Sequence, residues 1–215
     1  MKSELIKFIN QKNFPCIMAK TVSRIGYLET FTVQDIERTT NIIQFLKNIY
    51  QFIDHYHSSS NTLHSFVLII ESNEYRSFDF FEKQFWQFLL SVNYFDKILY
   101  AHDDRVHADP QSDHFSFSIM EEAFFILALH PQSPRWSRRF SKAAIVFNPH
   151  QQFENLRTNG LFNKVRNIIR QKDKLLQGFA NPMLSDFGDR SEVYQYMGRS
   201  HTFAEELPIF SQRFL

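Results

Sequence analysis

Segments in which apolar residues recur every three or four positions alternate along the chain with short runs that are apolar throughout, the patterns of amphipathic helices and buried strands. Glu4 to Gln11 puts Leu5, Ile6 and Ile9 on one helical face. Phe14-Pro15-Cys16-Ile17-Met18-Ala19 reads as extended, because a residue before proline is pushed out of helical geometry. Tyr27 to Phe31 alternates like a strand and is expected to pair with that segment as a hairpin around Gly26. A long helix is predicted from Thr32 as its N-cap, carrying Ile36, Ile43, Leu46, Ile49, Tyr50 and Ile53 and ending in the polar loop His55 to Asn61. Phe66 to Ile70 is the strongest buried strand. A second long helix aligns Phe78, Phe81, Phe85, Phe88 and Val92 in a stripe that suits core packing.

Ala101 to Asp113 is polar and reads as a surface loop. Phe115 to Ile119, Glu122 to Leu129 and Ala143 to Phe147 read as three further strands, followed by helices over Gln151 to Thr158 and Phe162 to Leu176. The order of elements indicates an α+β fold, a mainly antiparallel sheet covered by long helices. Nothing rich in Pro, Gly or Ser interrupts the chain, so one domain is expected over residues 1–215, with 179–215 a loop-rich C-terminal segment.

Composition narrows the class. With 43% hydrophobic and 22% charged residues, a chain of 215 can bury a large core, which excludes a disordered one. Phenylalanine is unusually frequent, at 25 residues. Twenty-four basic against 23 acidic residues give no global field for nucleic acid or an anionic membrane, and neither partner is expected. The longest clean apolar run, Ala123 to Leu129, is too short to span a bilayer, and the N-terminus lacks the uninterrupted apolar core of a signal peptide. Cys16 is the single cysteine, which excludes an internal disulfide framework and fits a soluble cytoplasmic protein.

There is no Gly-rich phosphate loop, GxSxG elbow, HExxH or CxxC pair. Three places remain. Cys16 is either a small buried hydrophobe or a thiolate, and a thiolate needs a positive group or a metal beside it. His130-Pro131-Gln132-Ser133-Pro134-Arg135-Trp136-Ser137-Arg138-Arg139-Phe140 is either a solvated face or a seat for carboxylate or phosphate. His150, after Asn148-Pro149, is either a helix cap or a site residue at the end of a buried strand. The loop histidines His55, His57, His102 and His107 lack the carboxylate support of a metal site.

Taken together, FPC, FSFS, AFFILALHPQSPRWSRRF, FNPHQQFENLR, IRQKDKLLQG and SEVYQYMG resemble the YqcI/YcgG family over nearly the whole chain. Better-known members are haem proteins associated with oxidation of nitrogen in arginine-derived or guanidine-containing compounds. The resemblance therefore implies haem b and an N-hydroxylating monooxygenase that acts on a guanidine, amine or amino acid. A small-molecule substrate and an external electron donor would be its partners. Cys16, His150 and His130 are then the candidate axial ligands, in that order, since a thiolate favours O–O cleavage. Arg135, Arg138 and Arg139 are candidate propionate partners. The adjacent Glu121 and Glu122 stand where the family tends to have glycine or smaller residues, and they are candidates for orienting a cationic substrate. Phe115, Phe117, Phe124, Phe125, Phe140 and Phe147 would suit the faces of a macrocycle. The alternatives are a haem- or small-ligand-binding protein without turnover, and a packed domain with no cofactor.

Overall fold

Strand alternation decides the architecture, seen in a computed structural model that describes residues 1–179 and 181–199. Strands β1 (Leu28–Val33), β2 (Ser65–Ile70), β3 (Phe117–Ile119), β4 (Glu122–Leu129) and β5 (Ala143–Pro149) form one sheet in the order β1-β2-β5-β4-β3. The β1–β2 pair is parallel and the remaining three pairs are antiparallel. Every residue of β2 is buried, so both faces of the sheet must be covered.

Helices α3 (Thr39–Ser58) and α4 (Phe78–Asp96) cover one face. Phe66, Leu68 and Ile70 point there with Phe124, Ile126, Ile145 and Phe147. The phenylalanine excess is largely spent on this layer. The Phe45 ring lies 6.0 Å from Phe66, 5.0 Å from Phe88 and 5.1 Å from Phe147, joining α3, β2, α4 and β5. Each such buried ring contributes on the order of 1.5–3 kcal/mol. Of the six phenylalanines matched in the sequence to a macrocycle, Phe115, Phe117, Phe124 and Phe147 lie in this core. The opposite face, with Val67, Ile69, Leu129 and Ala144, packs on Leu5 and Ile9 of α1 (Lys2–Ile9) and on Val22 of α2 (Ile17–Ile25). Helices α5 (Gln151–Thr158), α6 (Phe162–Gln177) and α7 (Val193–Tyr196) complete the described chain, and α6 touches α2.

Three local expectations change. Ile17–Ile25 is a helix rather than an extended segment, because Pro15 restricts Phe14 and its own φ but nothing after the Cys16 cap. The Cys16 side chain then caps the first turn, and Gly26, at φ 88°, ends the helix in the left-handed conformation. No hairpin forms around Gly26: β1 pairs with β2 through the α3 crossover. Thr32 lies inside β1 opposite Ile69, and α3 starts at Thr39, after a turn in which Asp35 accepts the N–H groups of Glu37 and Arg38. His55 and His57 accordingly sit in the last turn of α3.

The β3–β4 hairpin closes with two residues, Met120 and Glu121, at φ 51° and 59°. Two consecutive left-handed residues make the turn that Asn-Gly normally supplies, and a side chain there is strained. Glu121→Gly is expected to raise stability by about 1 kcal/mol. Urea denaturation reads this as a higher midpoint at unchanged slope. An unchanged midpoint would mean that the strain is relieved elsewhere.

Candidate functional site

The cavity arises where side chains on the α1/α2 face of the sheet are left uncovered. Val67, Leu127, Leu129 and Val146 form its apolar floor, and Ser65 and Asn148 add a polar patch. The patch is internally satisfied: Ser65 Oγ donates to Asn148 Oδ1 at 2.7 Å, and Asn148 Nδ2 donates to the Phe125 carbonyl at 3.2 Å. The volume is about 260 Å³. A second crevice of about 170 Å³ shares Met18, Phe125, Phe153, Ile169 and Leu184 with it, so the two are lobes of one apolar space between the sheet and α2, α5 and α6.

Cys16, Arg135 and Arg138, far apart in sequence, line the larger lobe together. The half-buried Cys16 caps α2, its Sγ accepting the Ala19 N–H at 3.4 Å. Burial pushes the thiol up, outweighing the hydrogen bonds from the Ala19 and Met18 backbone that pull it down. The sulfur is thus a neutral thiol rather than a pre-activated nucleophile, and a bound metal cation would deprotonate it.

Arg135 is 4% exposed, and its guanidinium pairs with Asp173 of α6. Its Nη1 is buried without a hydrogen-bond partner among the described residues. Arg138, 8% exposed, donates from Nη1 to the Tyr196 carbonyl at 2.7 Å. Burial lowers its guanidinium to about 10, and Arg135 adds repulsion that Asp173 opposes. The Arg138 side chain also lies against Gly198, where an added Cβ would meet Arg138 Cδ at 2.8 Å. That approach, with φ at 74°, explains why the SEVYQYMG string ends in glycine.

The other candidates lie elsewhere. His150 lines the smaller lobe, with Nε2 3.1 Å from Glu154 Oε1 and Nδ1 buried without a partner. Burial lowers its pKa, partly offset by Glu154, and keeps the ring neutral. His130 is fully buried, with Nε2 2.7 Å from the Tyr75 carbonyl and Nδ1 accepting the Gln132 N–H at 3.0 Å. Both its nitrogens are engaged by backbone, so it secures the fold. Arg139 is exposed; its Nε donates to the Ser133 carbonyl at 2.8 Å and its guanidinium covers the Trp136 ring. Glu121 is exposed at the hairpin tip. Glu122 is buried but faces His57 at 3.0 Å and Arg105 at 3.2 Å, and it lines neither lobe.

Sequence reasoning missed Asp173 and Glu192. Asp173 sits within IRQKDKLLQG and Glu192 within SEVYQYMG, and both are buried acids. A carboxylate flanked by lysines on an otherwise basic helix was the available signal for Asp173. It also missed Asp103, 2% exposed, whose carboxylate holds Arg105 and the Ala123 N–H and anchors the segment read as a surface loop. Among the described residues, no group of three His, Cys, Asp or Glu side chains is set to hold a metal ion by itself, and no helix is long and apolar enough to cross a membrane.

Fold and cavity define an α+β protein with a five-stranded mixed sheet and an apolar, arginine-edged cavity on one face. The chain belongs to the YqcI/YcgG family, whose model matches residues 5–209. It is 29% identical over 131 residues to the protein of Bacillus subtilis (strain 168) named "Uncharacterized protein YcgG". That match covers 59% of this chain and 51% of the relative, so the chain spans about half the length of the curated relative it matches. No solved structure matches.

Proposed function

We propose that the protein is a haem-dependent monooxygenase that hydroxylates an N–H of a guanidine, amine or amino acid. The supporting observation is a thiol and a buried arginine with an unpartnered Nη1 on the wall of one apolar cavity. That donor set fits haem b: a soft sulfur for the iron, a fixed cation for a propionate and apolar walls for the ring. Cys16 would hold the iron through its sulfur, and Arg135 and Arg138 would hold the propionates. His150, in the neighbouring lobe, is the second residue that would be able to hold the iron. When bound, haem would supply oxygen activation, with electrons from an external donor.

The chain's own residues do the rest. Phe125, Phe153 and Met18 give the space that the two lobes share an apolar lining. Asp173 holds Arg135 in place, and Arg138 is fixed through the Tyr196 carbonyl. The α2 N-terminus directs the Ala19 N–H at the Cys16 sulfur, which stabilises negative charge there.

Protein expressed with a haem precursor is expected to carry stoichiometric haem, and its ferrous–CO form to show a thiolate-type Soret band. Cys16→Ala is expected to lose that band and at least about tenfold in haem affinity. A globin-like band that persists in Cys16→Ala and is lost in His150→Ala would move the ligand to His150. A colourless protein that refuses added haemin would overturn the proposal.

A further inference from the structure

The smaller lobe is edged by charged groups that do not balance. Three arginines line it, Arg157 of α5 and Arg166 and Arg170 of α6. Asp186 serves two of them: it pairs with Arg166, and its Oδ1 lies 3.1 Å from Arg170 Nη2. Arg157 pairs with Glu154, which also faces His150. The other acid of the wall, Glu192, stays protonated at neutral pH, because burial pushes its carboxyl up to about 8. Three guanidinium groups thus meet two carboxylates, a shortfall of one negative charge.

Two buried atoms of the same lining lack partners among the described residues. One is Arg166 Nε. A guanidinium N–H can only donate, so what it wants is an acceptor. The other is Nδ1 of His150, a residue 8% exposed. Its Nε2 lies 3.1 Å from Glu154 Oε1, and a carboxylate only accepts, so Nε2 carries the proton and Nδ1 is a bare acceptor. His150 stands at the N-cap of α5, yet its side chain makes no capping bond. The guanidinium planes are held in place, with Arg157 Cζ 4.1 Å and Arg166 Cζ 5.7 Å from the centre of the Phe162 ring.

The rest of the lining is largely apolar, with Phe125, Phe153, Val165, Ile169 and Leu184. Its volume of about 170 Å³ is that of a one-ring ligand, since an apolar cavity of about 150 Å³ takes up benzene. A single anionic group would make up the missing charge. A carboxylate matches the arginine fork, whereas a phosphate monoester brings close to two charges where one is wanting. A hydroxyl on the ring would donate to the bare His150 nitrogen. We infer that the smaller lobe binds a small aromatic monocarboxylate bearing a ring hydroxyl, its carboxylate on Arg166 and its hydroxyl on His150. This goes beyond the haem reading and does not rest on it, because Cys16, Arg135 and Arg138 line the other lobe.

The probes are meta- and para-hydroxyphenylacetate, titrated by calorimetry against the full chain before and after incubation with haemin. The controls are para-hydroxyphenylethanol, which lacks the charge, and phenyl phosphate, which carries too much. At least one of the two acids is expected to bind at least about tenfold more tightly than either control. It is also expected to move the methyl NMR signals of Val165 and Leu184, a readout on the wild type that needs no variant to fold. Arg166→Gln is expected to abolish the preference for the acid over the alcohol, and His150→Ala to weaken acid binding by about fivefold or more. Binding of neither acid overturns the inference, as does a control that binds equally well, or methyl shifts confined to other parts of the protein. Loss of acid binding once haem is loaded also overturns it, because Arg166 would then belong to a propionate. Haem content separates the two proposals. A chain that binds the acid and refuses haem refutes the haem reading alone; a haem-loaded chain that ignores both acids refutes the aromatic-acid site alone.

Discussion

Asp173→Ala is expected to destabilise the protein by about 3–5 kcal/mol, the cost of stripping a buried ion pair of one partner. Two guanidinium groups, Arg135 and Arg138, are buried within the same wall, and Asp173 is the carboxylate that acts on both. It pairs directly with Arg135, accepts the Ser137 hydroxyl at 2.9 Å and favours the charged form of Arg138 through space. Its removal leaves two desolvated cations repelling each other. Alanine also removes one of the ties between α6 and the 3₁₀ turn Trp136–Arg138, leaving the bond from the Trp136 backbone N–H to Gln177. Urea unfolding checks the figure, and a loss below about 1 kcal/mol would mean that solvent reaches the pair. Asp173→Asn is expected to lose less, because the amide oxygen still accepts the Ser137 hydroxyl. If the cavity takes a carboxylate-bearing ligand at Arg135, that ligand is expected to raise the midpoint of Asp173→Ala more than that of the wild type, since it returns a negative charge to the wall.

How far the sequence revealed this site follows from where its constraints lie. Periodicity recovered α4, α5, α6 and the hydrophobic strands, because each of those patterns is written within a single element. The α2 helix was not recovered, although Pro15 before its cap and Gly26 at its end are the punctuation of a nine-residue helix. Its apolar side faces a cavity and is correspondingly thin. The parallel β1–β2 pairing was hidden because it depends on a crossover through α3 and not on a local turn. Cys16, Arg135 and Arg138 are far apart in sequence and only the fold puts them on one wall, whereas His130 bonds to backbone with both ring nitrogens and Arg139 lies on the surface with its Nε on the Ser133 carbonyl. Residue type is legible in the sequence, but which residues share a wall is set by tertiary contact.

Glu192→Gln is expected to be the variant whose effect depends most on pH. Glu192 is 4% exposed and accepts hydrogen bonds from Tyr196 Oη at 2.6 Å and Ser116 Oγ at 2.9 Å, tying α7 to the segment that enters β3. Burial pushes its carboxyl up to about 8, well above an ordinary glutamate, and those two hydroxyls with the Phe117 N–H only partly pull it back. The folded state therefore binds this proton more tightly than the unfolded chain does. Its contribution is complete below the unfolded pKa and is lost as pH rises through about 8. The buried histidines His64, His130 and His150 and the half-buried His102 act in the opposite sense. Burial lowers each, so their contribution is present above the ordinary histidine range and is lost as pH falls through the lowered values. Comparing variant with wild type at each pH cancels the histidines and isolates Glu192. A neutral glutamine keeps an oxygen for both hydroxyls and has no charge to bury. Near pH 5 the two proteins are expected to be within about 1 kcal/mol of each other, and by pH 9 the variant is expected to be the more stable by about 2–4 kcal/mol. Denaturation midpoints across that range measure the gap directly. A constant difference would mean that the carboxyl is already ionised in the folded protein, with solvent reaching it through the smaller lobe whose wall it forms.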